Sequence, residues 1–199
     1  MKIEVVQETP AQLDEYASIP IWFEVDRVME VTRTAGGLTL DERSTTRRMK
    51  DYDAIPGEGP ASWPKRFDMS DWSLFAARAD GVRVGAAAVV ARTNAIQLLE
   101  GRSDLALLWD LRVAPAMRGK GVGSALLGAV ELWARGERIR TVKVETQDVN
   151  AAACRFYLHH GFELRSATPH AYRDFPDETR LLWYKDIDPG TVEEEATWG

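Results

Sequence analysis

The sequence predicts an α/β (α+β) fold, in which a sheet is flanked by helices. The first observation is a strand, a glycine-rich turn and a helix in direct succession over residues 105–133. The second is a similar unit over residues 141–162, where a short strand precedes a capped helix that ends before a glycine. The third is a β-hairpin pattern centred on Asp80-Gly81. At 199 residues the chain can bury a sizeable core, and we expect one domain over residues 1–199.

The N-terminal part of the chain is predicted to contain one strand, two helices and a long loop. Residues 1–8 alternate between apolar and polar side chains, as a strand with one buried face would. Helical segments are predicted over residues 9–16 and 19–29, the second because its apolar residues recur on one side. Residues 32–71 lose this periodicity and collect glycine and proline. A long loop insertion is therefore expected there, with a short helix near residues 44–50.

The rest of the chain alternates between strands and helices. Strands are expected at residues 72–78, 82–93, 106–113, 141–147, 163–166 and 179–185. The resulting order along the whole chain is β, α, α, β, β, β, α, β, α, β, β. The tail over residues 186–199 is acidic and is expected to be frayed.

The composition restricts the classes of function. The formal charge of −6 and the isoelectric point near 5.2 disfavour a nucleic-acid-binding protein and are compatible with a cationic small substrate. A single cysteine rules out an internal disulfide and fits a reducing cytosol. Because no apolar stretch approaches the length of a membrane span, we expect a cytoplasmic protein that binds neither nucleic acid nor a membrane.

The glycine-rich turn has the features of a phosphate-binding loop. A helix that opens from such a turn directs several unpaired backbone N–H groups, and the positive end of its dipole, at one spot. Two basic side chains add charge, and the glycines leave room for a phosphate to reach the backbone. The loop consists of Arg118, Gly119, Lys120, Gly121, Val122, Gly123 and Ser124.

Three phosphate-binding motifs share these features and differ in their spacing. The Walker motif requires Ser or Thr after Gly119-Lys120, and Gly121 stands there instead. The dinucleotide motif requires Gly-x-Gly-x-x-Gly and a longer doubly wound domain than the remaining chain can supply. The pattern Arg-x-x-Gly-x-Gly over residues 118–123 resembles the pyrophosphate loop of the GNAT superfamily of acyl-CoA N-acyltransferases.

A second segment strengthens this resemblance. The run from Asn150 to Phe162 fits Asn-x-x-Ala-x-x-x-Tyr-x-x-x-Gly-Phe, which is similar to the second GNAT signature, and it follows the first motif in the right order. The resemblance implies a GNAT fold, with a mixed, mostly antiparallel central sheet flanked by helices. It also implies an acyltransferase that uses acetyl-CoA as its co-substrate.

The resemblance further implies where the acyl donor binds. The pantetheine arm would lie along the central strand and pair with its backbone as an added strand would. The pyrophosphate would meet the glycine-rich loop. The predicted donor-binding residues are therefore Leu111, Arg112, Val113, the seven residues of the loop over 118–124, and Asn150.

Acetyl transfer to an amine requires a base and an acid. A lysine-like ammonium is neutral only about once in a few thousand at neutral pH, a cost of roughly 4–5 kcal/mol, so a carboxylate or a water must accept its proton. Glu145 is one candidate base, through a resemblance to ribosomal-protein alanine acetyltransferases, and Asp110 on the central strand is the other. Tyr157 occupies the superfamily's general-acid position and would protonate the leaving thiolate. The histidines lack metal-ligand spacing, so no metal is expected.

The acceptor amine is suggested by a narrower resemblance. Residues 145–162 are similar to the corresponding run in streptothricin acetyltransferases, which confer antibiotic resistance by acetylating an amine of a cationic antibiotic. We therefore expect direct transfer, in a ternary complex, to a primary amine of a small cationic substrate, with a streptothricin-type antibiotic as the first candidate. Acidic and aromatic residues in and beside the long loop could bind such a cation or could be solvated surface: Asp51, Asp53, Glu58, Trp63 and Trp72.

Two alternatives remain open at this point. The protein could acetylate protein N-termini, as the ribosomal-protein alanine acetyltransferases do, or it could be a non-catalytic sensor that binds acyl-CoA. The presence of both Tyr157 and Glu145 argues against the sensor. The protein is expected to act as a monomer or a homodimer.

Overall fold

The computed structural model describes residues 1–187, which contain nine strands and four helices. The strands are β1 (Ile3–Glu8), β2 (Phe23–Thr34), β3 (Gly37–Lys50), β4 (Trp72–Ala79), β5 (Val82–Ala91), β6 (Leu105–Val113), β7 (Thr141–Gln147), β8 (Glu163–Thr168) and β9 (Arg180–Asp186). The helices are α1 (Leu13–Ala17), α2 (Trp63–Arg66), α3 (Val122–Gly136) and α4 (Ala151–His159). Most of the predicted frayed tail, residues 188–199, lies outside the described residues.

Seven strands form one sheet in the order β1-β4-β5-β6-β7-β9-β8. Neighbouring strands are antiparallel except β6 and β7, which run parallel and are connected through α3. This helix packs on β1, β4, β5 and β6 because its apolar residues lie on one face: Val122, Leu126, Leu127, Val130 and Ala134 are all buried. The predicted mixed, mostly antiparallel sheet flanked by helices is confirmed.

The prediction of a second helix over residues 19–29 is wrong. This segment belongs to β2, which pairs with β3 as a separate two-stranded sheet. Val25 and Met29 are buried, and a spacing of four residues places side chains on one side in a helix and in a strand alike. The β-branched residues of β2 decide for the strand, since they pack well on a pleated surface.

The predicted loop insertion over residues 32–71 is also wrong in its first half. Residues 37–50 form β3, so the short helix expected near residues 44–50 is part of a strand. The two strands meet at the two-residue turn Ala35-Gly36, which is followed by Gly37 at a φ of +124°. Most of this hairpin faces solvent, and charged residues are frequent in both of its strands. The alternation of apolar and polar side chains that indicates a strand is therefore hard to detect in the sequence. Irregular chain begins after Lys50, and before β4 it includes a 3-10 turn, Pro60–Ser62, that leads directly into the short α2.

The sheet opens between its two parallel strands. Pairing of β6 with β7 covers Leu105 to Leu108 only. On its other side β6 remains paired with β5 as far as Val113, with a register shift that leaves Trp109 as a bulge. The backbone of residues 109–113 is therefore a free strand edge that faces the gap between β6 and β7. Within residues 1–187, no helix is both long enough and apolar enough to cross a membrane.

Candidate active site

A cavity of about 880 Å³ lies where β6 and β7 separate. Most of the predicted site residues line it, namely Asp110, Leu111, Arg112, Val113, Arg118, Gly119, Gly121, Gly123, Ser124, Glu145, Asn150 and Tyr157. Two predicted residues do not line the cavity. Lys120 is exposed, and Val122, the first residue of α3, is buried on the face of that helix that packs on the sheet. The structure therefore brings the glycine-rich loop, the free edge of β6 and both candidate bases to one cavity.

The glycine-rich loop has the backbone that a phosphate site needs. Gly119 and Gly121 have φ angles of +73° and +84°, which favour glycine, and Gly121 is the residue that precedes the first turn of α3. A side chain at Gly123 would meet the Phe156 ring at 3.2 Å, so α3 and α4 approach closely here. The backbone N–H groups at the start of α3 and the helix dipole can then act on an anion at the cavity.

Arg118 is engaged with the protein itself in this structure. Its guanidinium donates to the carbonyl oxygens of Val113 at 3.2 Å and Trp22 at 2.7 Å, and it lies over the Trp22 ring. Partial burial lowers the pKa of this group from its ordinary value. Its charge is at the cavity, but its donors hold the segment that leads into β2.

Arg112 contributes backbone to the cavity edge, and its side chain has another role. The side chain is 2% exposed and forms ion pairs with Asp110 at 2.6 Å and Asp53 at 2.9 Å. It also donates to the carbonyl of Ile19. The guanidinium therefore neutralises two carboxylates at the wall of the cavity, and a donor phosphate is not its partner.

Asp110 is a weak candidate for the base because both of its oxygens are engaged. One accepts from the Tyr16 hydroxyl at 2.6 Å and from Arg112 at 2.9 Å, and the other accepts from Arg112 at 2.6 Å. Charge-assisted hydrogen bonds of this kind hold the carboxylate in place, so its oxygens are directed at Arg112 and Tyr16 and not at a substrate.

Glu145 has the opposite environment. It lies on β7 and lines the cavity, and it accepts one hydrogen bond, from the Tyr172 hydroxyl at 2.8 Å. Burial raises the pKa of its carboxyl, and the bond from Tyr172 acts in the other direction. A raised pKa makes this carboxylate a better proton acceptor near neutral pH.

Tyr157 on α4 reaches the same cavity and is 5% exposed. Its hydroxyl makes no hydrogen bond to any group within residues 1–187, and burial raises its pKa above the ordinary value. The phenol is therefore protonated and free to donate.

Asn150 caps α4 by accepting from the backbone N–H of Ala153 at 3.1 Å. Cys154 faces away from the cavity and is fully buried, which raises the pKa of its thiol to about 12 and makes it a poor nucleophile.

The acidic and aromatic set predicted around the loop is largely committed to other contacts. Trp63 and Trp72 are 1% and 4% exposed and stack on each other in the core, so the alternative that they are solvated surface is wrong for both. Trp63 also lines the cavity, whereas Trp72 does not. Asp53 is held by Arg112. Glu58 lines the cavity and pairs with Arg66 at 3.3 Å, where it remains partly exposed.

Sequence reasoning missed the opposite wall of the cavity. The β8–β9 connection, residues 169–179, lines it through residues 171–175 and carries Tyr172. Lys50 at the end of β3 forms a buried ion pair with Glu178 of this connection at 2.6 Å and lies over the Phe175 ring. Because these partners are far apart along the chain, no local pattern could have indicated them.

Comparison with known proteins gives a consistent result. A model of the acetyltransferase (GNAT) family matches residues 43–162. Streptothricin acetyltransferase of Escherichia coli is 28% identical over 187 residues, which covers 92% of this chain and 95% of that protein. Streptothricin acetyltransferase A of Bacillus subtilis (strain 168) is 36% identical over 91 residues, and the match spans about half of its length, 53%, and 45% of this chain.

Solved structures show the same architecture. The crystal structure of nourseothricin acetyltransferase aligns with a TM-score of 0.73 at 25% identity, over 94% of this chain and all of that one. A Bacillus anthracis (strain Ames) protein assigned as a streptothricin acetyltransferase, solved in complex with acetyl coenzyme A, aligns with a TM-score of 0.75 at 19% identity, over 93% and 99% of the two chains. This second likeness concerns the fold.

Proposed function

Since the chain belongs to the acetyltransferase (GNAT) family, we propose that it moves an acetyl group from acetyl-CoA to a primary amine of a small cationic antibiotic of the streptothricin type. Acetyl-CoA is the acyl donor of this family. The observation that carries the proposal is that one cavity holds the glycine-rich loop, the half-buried carboxylate of Glu145 and the phenol of Tyr157. Within residues 1–187, this carboxylate has no salt bridge and this phenol donates no hydrogen bond.

The donor half of the site has two parts. The free backbone edge of β6 from Trp109 to Val113 suits the amide groups of pantetheine, which would add to it as a strand does. The glycine-rich loop and the start of α3 suit the pyrophosphate. Leu111, Val113 and the loop glycines thus keep their proposed roles through their backbone.

The proposed reaction balances with three proton transfers and the release of one proton. Glu145 accepts the proton of the substrate ammonium, and the neutral amine attacks the thioester carbonyl carbon to give a tetrahedral intermediate whose nitrogen is positively charged. As this intermediate collapses, the C–S bond breaks and Tyr157 donates its phenolic proton to the thiolate sulfur. The remaining extra proton on the nitrogen passes to the Tyr157 phenolate, which leaves a neutral amide and the thiol of CoA, and Glu145 releases its proton to solvent. Deprotonating a lysine-like amine costs roughly 4–5 kcal/mol at neutral pH, which is the part of the barrier that Glu145 addresses.

The raised pKa of Tyr157 is compatible with its role as the acid. Desolvation by burial is its first cause, and the nearby Asp110 and Cys154 add to it. A thiolate that leaves into the same desolvated cavity is destabilised for the same reason, so its pKa rises as well. The pKa values of the Tyr157 phenol and of the leaving thiol therefore rise together, and Tyr157 remains protonated over the working pH range.

A small acceptor is favoured over a peptide by the walls of the cavity. The buried Lys50–Glu178 pair ties the β8–β9 connection to the end of β3, so that both segments contribute a fixed wall to the cavity. The relative that matches most of this chain, at 28% identity, is named for its action on streptothricin. Both facts support a small-molecule amine as the substrate.

Steady-state assays with acetyl-CoA and a panel of acceptors test the proposal. The panel contains a streptothricin, an aminoglycoside, a polyamine and a peptide with the N-terminus of a ribosomal protein. We expect kcat/KM for the streptothricin to exceed that for the peptide by at least tenfold. Preference for the peptide would contradict the proposed acceptor and favour the protein-acetylating branch. Retention of the wild-type pH profile by Glu145→Gln would contradict the proposed base.

A further inference from the structure

Besides Tyr157, the cavity is lined by Tyr52 and Tyr172, and the proposed reaction uses the position of neither. Tyr172 lies in the β8–β9 connection and is half-buried. Its hydroxyl donates to Oε1 of Glu145 at 2.8 Å, which is the one hydrogen bond that Glu145 accepts from the described part of the chain. The other oxygen, Oε2, is left available to the cavity.

We propose that Tyr172 is the positioning residue of the base: it fixes one oxygen of Glu145 and thereby aims the other at the acceptor amine. This inference rests on the proposed role of Glu145. It assigns no contact between Tyr172 and the reacting atoms, since Tyr172 acts through Glu145.

The backbone around Tyr172 is built to hold such a position. Within the connection, Phe175 N donates to the carbonyl of Tyr172 at 3.3 Å, and Glu178 N donates to that of Phe175 at 3.0 Å. Thr179 N donates to the Asp148 carboxylate at 3.0 Å, beyond the end of β7. The buried Lys50–Glu178 pair then ties the connection to the end of β3.

A similar hydrogen bond from a tyrosine to a side chain of β7 lies two residues further along this strand. Glu145 and Gln147 lie on one face of β7, because side chains two residues apart in a strand point the same way. Tyr52, from the segment after β3, donates to Oε1 of Gln147. Each of the two polar side chains that β7 directs here is thus fixed by a phenol from a different loop.

Several other groups act on the charge of Glu145. Arg180 of β9 and Lys143 of β7 favour the ionised carboxylate, whereas Glu58 from the segment after β3 disfavours it. Lys143 is itself bonded to Glu100 and to the carbonyl of Leu98, so its proximity is fixed by other contacts. Burial raises the pKa of Glu145, and the hydrogen bond from Tyr172 is the first of the opposing causes.

The hydrogen bond that Tyr172 donates determines in which direction its removal should change the pKa of Glu145. A hydrogen bond to the charged form of a carboxyl stabilises that form, so its loss raises the pKa of Glu145 further. Tyr172→Phe should therefore move the acidic limb of the kcat/KM profile to higher pH, on the order of one pH unit. At pH values below the acidic limb, kcat/KM of the variant should be about tenfold lower than that of the wild type, whereas the KM for acetyl-CoA should not change.

The matched control is Tyr184→Phe. Tyr184 also donates its hydroxyl to a glutamate, Glu100 at 2.7 Å, but it lies outside the cavity. This variant removes the same atom from a similar bond and should leave the acidic limb where it is. Tyr172→Leu removes the hydroxyl with a different shape and should move the limb as Tyr172→Phe does. Melting temperatures check the fold of each variant.

The outcomes separate this inference from the proposed function. If Glu145→Gln abolishes the acidic limb while both Tyr172 variants keep it at the wild-type pH, the positioning role is overturned and the base assignment stands. If Glu145→Gln keeps the wild-type limb, the base assignment itself fails. An upward shift in both Tyr172 variants, absent from Tyr184→Phe and from a Glu145→Gln/Tyr172→Phe double variant, supports the inference.

Discussion

The buried ion pair between Lys50 and Glu178 gives the sharpest test of the cavity's structure. The two side chains are 8% and 7% exposed, and Lys50 Nζ lies 2.6 Å and 2.8 Å from the two oxygens of Glu178. The same ammonium is 3.4 Å from the centre of the Phe175 ring. Lys50→Met would keep most of the side chain's volume and leave the Glu178 carboxylate buried without its partner.

The expected cost follows from this burial. Removing one partner of a buried pair destabilises a protein by about 3–5 kcal/mol, because the remaining charge is uncompensated. For a domain of this size that corresponds to a fall in Tm of roughly 10 °C. Replacing both partners, in Lys50→Met/Glu178→Leu, removes both charges and should return the stability to within about 1 kcal/mol of wild type.

Guanidinium unfolding followed by tryptophan fluorescence measures these differences. Arg47→Met is the control, since Arg47 pairs with Glu24 at 3.1 Å on the surface and both side chains are largely exposed. It should leave the midpoint of unfolding unchanged. A loss below about 1 kcal/mol for Lys50→Met, or a double variant as unstable as the sum of its single variants, would refute the reasoning.

Two further predictions concern the reaction itself. Tyr157→Phe removes a hydroxyl that has no hydrogen-bond partner within residues 1–187, so Tm should stay the same while kcat falls by about 10²-fold. A variant with full kcat in stopped assays would assign the role of the acid to another group. Gly121→Val places a branched side chain at a φ of +84° in the glycine-rich loop, and calorimetry should show the Kd for acetyl-CoA rising at least tenfold, about 1.4 kcal/mol. Gly128→Ala, in the middle of α3 with open space at the Cβ, is its control, and an equal Kd for both variants would contradict the loop assignment.

Local signals in the sequence were sufficient to predict the elements that surround the proposed donor site. The strand of residues 141–147 and the start of α4 after Asn150 occur where they were predicted, because a cap and a glycine mark the ends of that helix. The bend that opens the sheet at Trp109 could not be read from the sequence. A bulge depends on the pairing of two strands, and no single strand carries its signal.

The acceptor half depends on contacts between distant segments. Lys50 and Glu178 are 128 residues apart, and Tyr172 and Glu145 are 27 apart across a connection of irregular structure. Composition suggested an acidic cation site around residues 51–58, but Asp53 is neutralised by Arg112 from β6. The charge that a substrate meets is thus set by tertiary pairing, which a count of acidic residues does not reveal.

In the proposed mechanism, these pairings leave Glu145 as the carboxylate that would both attract and deprotonate the acceptor. In water the pKa values of a free glutamate and a free lysine, about 4.3 and 10.4, are six units apart, so proton transfer between them is unfavourable by roughly 8 kcal/mol. Burial raises the pKa of Glu145, and burial of an ammonium lowers its pKa, so the cavity narrows this gap from both sides. When the acceptor enters, the opposite charges favour an ion pair and keep Glu145 ionised, which gives selectivity for a cation. Where the acceptor displaces water from Glu145, the uncharged acid and amine become relatively more stable than the ion pair, and the neutral amine can attack. In the proposed mechanism, one half-buried carboxylate, held by Tyr172 and without a salt bridge to any group within residues 1–187, would therefore serve both recognition and proton removal.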